Sequence, residues 1–140
     1  MPSFFSKVAT SLGLPRSKKL FKGDDAMFKR VVGQARVYAE YGCGASTIWV
    51  ARNVGCPVFS VDTSREWVDI VRGECAGIEG LQIHFADLGP VGKWGRPLSY
   101  ERSARFPEYT DWPWQQALTP DVVLVDGRFR VCCFLTSLLN

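Results

Sequence analysis

The stretch Arg36-Val37-Tyr38-Ala39-Glu40-Tyr41-Gly42-Cys43-Gly44-Ala45-Ser46-Thr47 decides the fold class. Arg36 to Tyr41 reads as a strand and Gly42-Cys43-Gly44-Ala45 as the punctuation after it. Ser46 to Asn53 reads as a helix that opens beside the glycines and is closed by Gly55 and Pro57. Glycines between a strand and a helix let the backbone turn sharply and approach a ligand without Cβ interference, while the first amides of the helix remain free to donate.

Outward from this unit, the chain alternates short apolar runs with helical patterns, the signature of βαβ units around a parallel sheet. Pro57-Val58-Phe59-Ser60-Val61 predicts a second strand ending on Asp62. Thr63-Ser64-Arg65-Glu66 has capping-box spacing, with Thr63 the predicted cap, and Trp67, Ile70, Val71 and Cys75 form the predicted apolar stripe of the next helix, closed by Gly77 and Gly80. Leu81 to Ala86 alternates into a third strand before Asp87. Asp121-Val122-Val123-Leu124-Val125-Asp126 is a β-branched fourth, followed by a helix with Val131, Phe134, Leu135 and Leu138 at helical spacing. Right-handed crossovers predict an α/β Rossmann-like sheet of order 3-2-1-4 with helices on both faces. Ligand binding is expected at the carboxyl ends, where the order reverses between strands one and four.

The residues at those ends carry the functional reading. Asp62 ends its strand 18 residues after Gly44, near the ~20 expected of a carboxylate that grips two ribose hydroxyls. A nicotinamide-binding fingerprint would place a third glycine where this chain has Thr47, which argues against a dehydrogenase. Read without a ligand, Gly42 and Gly44 make a plain turn, Asp62 caps the following helix, Asp87 is a loop acid, and Asp126 pairs with Arg128 or Arg130.

Together these positions resemble the class I S-adenosylmethionine-dependent methyltransferases over about residues 36–135. The acid-x-G-x-G pattern of that family falls on Glu40, Gly42 and Gly44, its ribose acid on Asp62, and the acid after strand three, which often contacts the adenine amine, on Asp87. Ser46 and Thr63 complete the cofactor-binding set. The run Asp121 to Arg130 looks like the fourth-strand motif of poorly characterised bacterial methyltransferase-like proteins, in which Asp126 would face the methyl-donor pocket. The resemblance implies S-adenosylmethionine as cofactor and methyl transfer to a small-molecule or otherwise unknown acceptor. Asp126 is then the candidate base or metal ligand and Arg128 a candidate substrate clamp, while His84 falls mid-strand and reads as structural. Because the family's fold adds three further strands, a chain stopping at Asn140 is expected to be C-terminally incomplete, with an apolar sheet edge that favours homo-oligomers. Two alternatives stand beside this reading: a non-catalytic nucleotide-binding or assembly protein built on the same half-fold, and, less favoured, an NAD-dependent oxidoreductase.

Composition sets the frame. The 140 residues, 46% hydrophobic, suit a single domain over residues 36–140 behind a basic, helical leader over 1–35. Of the net charge of +3, the first 36 residues contribute eight Lys or Arg against Asp24 and Asp25, an asymmetry that fits a solvated leader, with a nucleic-acid contact or a targeting segment as alternatives. Five cysteines without a C-x-x-C pair and a single histidine argue against a metal centre and for a reducing, cytoplasmic setting, and no apolar run approaches the ~18 residues of a membrane span. Residues 88–120 form a long insertion with six aromatics, among them Trp94, Trp112 and Trp114. It is expected either to act as a lid over an acceptor pocket or to cover the sheet.

Overall fold

The computed structural model describes residues 20–140. Four strands, β1 (Tyr38–Tyr41), β2 (Val58–Asp62), β3 (Leu81–Phe85) and β4 (Val122–Val125), form one sheet of order 3-2-1-4 in which every pair is parallel. Tyr41 lies opposite both Val61 and Val125, so the carboxyl ends of the three adjoining strands finish level. The first strand is shorter than its apolar run because the Asp121 carboxylate captures the Arg36 and Val37 amides at 3.0 Å before the ladder begins. The Val37 amide, with Arg36 beside it, holds the Asp121 carboxyl down to about 2.

Among the described residues five helices flank the sheet: α1 (Ala26–Val32), α2 (Ala45–Asn53), α3 (Arg65–Glu74), α4 (Phe106–Asp111) and α5 (Arg130–Leu139). Strand alternation divides the core into two layers. On one face Tyr38, Val58 and Ile83 meet Val32 of α1, Ile48 and Val50 of α2, and Val68 and Val71 of α3. On the other, Tyr41, Val61, Val123 and Val125 meet Leu88, Phe106, Tyr109 and Trp112 of the long connection and Cys133 of α5. Val58, Val61, Val68 and Val71 are buried almost completely, each worth about 1.5–3 kcal/mol relative to exposure. Residues 1–19, most of the predicted leader, lie outside the described residues. The described part of it includes α1, which docks on the domain through Phe28 and Val32. Among the described residues no helix is long and apolar enough to cross a membrane.

Two local expectations are corrected. Ser64, not Thr63, caps α3: its Oγ accepts the Trp67 amide at 3.3 Å, while the Thr63 hydroxyl donates to the Gly95 carbonyl at 2.5 Å. The buried side of α3 runs through Val68, Val71 and Cys75, with Trp67 half-buried against it and reaching the carboxyl ends of the strands. The predicted stripe of α5 exists, but Val131, Phe134, Leu135 and Leu138 are each more than half exposed, because the helix lies on the sheet through Cys133.

Candidate functional site

A cleft of about 350 Å³ opens at the carboxyl ends of β1, β2 and β4. Its floor is the glycine loop and the start of α2, with Asp62 and Trp67 on one side and Asp126 to Arg130 on the other. The two loop glycines serve different purposes. Gly42 adopts φ +93°, and a Cβ on it would stand 2.9 Å from the Asp126 carbonyl and the Gly127 Cα, so the close approach of the β1 and β4 loops demands glycine. A Cβ on Gly44 would meet no protein atom within 4 Å, so the fold itself leaves room there.

Glu40 lies behind the loop, not on the cleft surface. Its carboxylate is fully buried and accepts hydroxyls from all sides: Tyr38 and Ser46 at 2.9 Å, Ser60 at 3.0 Å, and Thr47. Thr47 also accepts the Gly44 amide at 2.9 Å. One carboxylate therefore joins β1, β2 and the first turn of α2, and positions the loop from beneath. Burial pushes its pKa up to about 7, with the four hydroxyl donors holding it back from going further.

Asp62 ends β2 with one oxygen accepting the Cys43 amide and the other the Ser64 amide, each at 2.8 Å. Each carboxylate oxygen can accept more than one hydrogen bond, so these contacts orient the group while leaving it able to bind a ligand. Burial raises its pKa against the pull of the two amides. Burial first, then the nearby Asp62 charge, raises that of the Cys43 thiol, which makes this cysteine a poor nucleophile.

Beyond β4 the chain makes an unusual turn. Phe129 sits in the left-handed region at φ +51°, a strained conformation for an aromatic residue, and its ring is held by Phe106 at 4.8 Å and Tyr109 at 5.9 Å. The Tyr109 hydroxyl accepts the Arg128 amide at 3.1 Å and fills the space that a Cβ on Gly127 would need. Asp126 pairs with Arg130 at 3.0 Å, the second of the two partners its sequence context offered. Arg128 lines the cleft, and its Nε is buried with no hydrogen-bond partner among the described residues.

Of the predicted site residues, the structure brings Gly42, Gly44, Ser46, Asp62, Asp126 and Arg128 to one cleft. Glu40 and Thr63 are buried beside it. Asp87 lies outside the cleft lining, bound to Arg102 at 3.0 Å, with Arg105 at 3.8 Å. His84 bonds to Glu108 at 2.9 Å and stacks on Trp112 at 5.1 Å, so it lies with the sheet-covering aromatics. The lid expectation fails for Trp112 and Trp114. Trp112 packs edge-on against Phe59, and Trp114 donates to the Tyr41 hydroxyl at 3.0 Å, so both cover the sheet. Trp94 is the aromatic of the insertion that reaches the cleft, on a backbone at φ +61°. Sequence reasoning missed Trp67, Trp94 and Arg130 as lining residues. The spacing that places Trp67 on the apolar stripe does not show that it also borders the cleft, and nothing in the local pattern marks Trp94.

No family model and no curated protein sequence matches the chain. Among solved structures, a methyltransferase-like protein from Silicibacter pomeroyi is similar, with a TM-score of 0.77 and 35% sequence identity over 87% of this chain and 67% of that one.

Proposed function

The chain belongs to the methyltransferase-like family represented by that bacterial protein, and from this premise we propose that it binds S-adenosylmethionine in the cleft and passes its methyl group to a small acceptor. The observation that carries the reading is the convergence of Asp62, the glycine loop and the first turn of α2 on one cleft, at the point where the strand order reverses.

The residues present fit the cofactor. Asp62, already oriented by two amides, accepts the paired ribose hydroxyls. The Ala45 and Ser46 amides, which begin α2 and have no acceptor within it, suit the carboxylate of the methionine moiety. The open space over Gly44 admits a ligand against the backbone. Trp67 and Trp94 offer ring faces for adenine, a role the family pattern would give to Asp87, which here is engaged by Arg102. Bound there, S-adenosylmethionine supplies an electrophilic methyl group on a sulfonium. The protein's part is to orient donor and acceptor in line, with Asp126 as the proton acceptor once Arg130 releases it.

That ion pair favours one second reading, a cofactor-binding protein without catalysis, since it occupies the carboxylate nearest the acceptor side. Calorimetry with S-adenosylmethionine, S-adenosylhomocysteine and NAD tests the binding claim: the first two should bind and Asp62→Asn should weaken both at least tenfold. Absence of binding by either sulfur nucleotide would sink it. Transfer of labelled methyl to a pool of small acceptors then separates enzyme from binder.

A further inference from the structure

We propose that the acceptor is an anion, a carboxylate or phosphate compound held by Arg128 while the cofactor occupies the glycine-loop side. The inference rests on the cofactor reading for the word acceptor, but the anion site stands on its own geometry. Each of the other charged groups on the cleft wall has a partner: Asp126 and Arg130 pair at 3.0 Å, and Asp62 takes two amides. Arg128 forms no ion pair or side-chain hydrogen bond among the described residues, although its Nε is shut off from solvent. A guanidinium nitrogen removed from water without an acceptor is costly to the fold, and that cost is borne by the residue of the cleft wall whose positive charge has no protein partner among the described residues.

The backbone around Arg128 is built to hold it there. Its amide is fixed by the Tyr109 hydroxyl, and the next residue, Phe129, is locked in a left-handed turn between the rings of Phe106 and Tyr109. Strain of this kind persists only where surrounding structure enforces it, and it clusters at functional sites. The planar fork of arginine suits bidentate binding of carboxylate or phosphate. Strand order separates the two anion-binding features: the α2 amides follow β1, and Arg128 follows β4 on the side of β1 away from Asp62. The cofactor's own carboxylate is served by the first, which leaves Arg128 for the second molecule.

The test titrates inorganic phosphate, and separately benzoate, into the protein with and without saturating S-adenosylhomocysteine. Binding is read by calorimetry and by the NMR resonance of the Arg128 Nε–H. The expected result is binding in both conditions, movement of that resonance, and at least a tenfold loss in Arg128→Gln with a melting temperature no lower than that of the wild type. Displacement of the anion by S-adenosylhomocysteine would assign Arg128 to the cofactor and overturn the proposal. So would equal binding by Arg128→Gln, or no anion binding in either condition. If the anion binds but S-adenosylhomocysteine does not, the anion site holds and the cofactor reading fails.

Discussion

Glu40→Gln should abolish a pH dependence of stability that the wild-type protein carries. Burial raises the Glu40 carboxyl from an ordinary 4.5 to about 7. In the folded protein the group therefore keeps its proton over a range in which the unfolded chain has lost it. The sign follows: the folded state is favoured below pH ~4.5, and that advantage is lost as pH rises through ~7, because the native state then holds a buried charge. A shift of about 2.5 units corresponds to about 3 kcal/mol in total, of which about 2–3 kcal/mol falls between pH 5 and pH 8. Glutamine has the same shape and no titration, and the hydroxyls of Tyr38, Ser46, Thr47 and Ser60 can rotate to donate to its oxygen or accept from its nitrogen. Urea unfolding of both proteins at half-unit steps from pH 5 to 8 measures the difference directly. Relative to Glu40→Gln, the wild type should weaken by about 2–3 kcal/mol across that range. Parallel curves, with a constant gap at every pH, would refute the claim that this carboxylate is buried and titrates near neutrality.

The two loop glycines should separate stability from binding. Gly42→Ala, blocked by the β4 loop and by its positive φ, should cost well over 1 kcal/mol in a denaturation curve, whereas Gly44→Ala should leave that curve unchanged and weaken S-adenosylhomocysteine in calorimetry. Tyr109→Phe removes the acceptor of the Arg128 amide and should cost about 1 kcal/mol, with faster amide exchange at Arg128 as its local signature. Trp112→Ala should lower stability by about 3 kcal/mol while S-adenosylhomocysteine affinity in the folded protein stays the same; a tenfold loss of affinity would restore the lid. Asp121 is held below its ordinary pKa, so its contribution is present above pH ~4 and fades as pH falls toward 2, and Asp121→Asn should flatten the acid limb of a stability profile.

The sheet was legible because each strand is a short apolar run bounded by glycine, proline or an acid, and such punctuation forces parallel strands joined by helices. The glycine loop and Asp62 were legible for the same reason, since both stand at a strand's carboxyl end. Glu40 was read by type but not by placement. Its neighbours Tyr38, Ser46, Thr47 and Ser60 come from three separate elements, and no local pattern shows that all four turn toward one carboxylate. Trp67 falls on the apolar stripe its spacing predicts, but its second contact, with the cleft, depends on tertiary placement. Asp87 matched a family position, but its partner Arg102 comes from an insertion whose path depends on tertiary contacts. The exposed face of α5 shows the limit of periodicity: spacing identifies a stripe, and only packing tells whether anything lies against it.

The connection between β3 and β4 bears on how this domain can be re-engineered. Long surface loops are usually the first segments removed when a domain is minimised, since closing a shorter loop is entropically cheaper. Here a tight turn in place of residues 88–120 would delete Leu88, Phe106, Tyr109 and Trp112, leaving Tyr41, Val61, Val123 and Val125 facing water, and would release the turn that carries Arg128. The same segment offers the opposite opportunity. Tyr100 to Ala104 are exposed between the packed portions, so a graft, a label or a second domain belongs beside Glu101, with Arg102 kept in place for its pairing with Asp87.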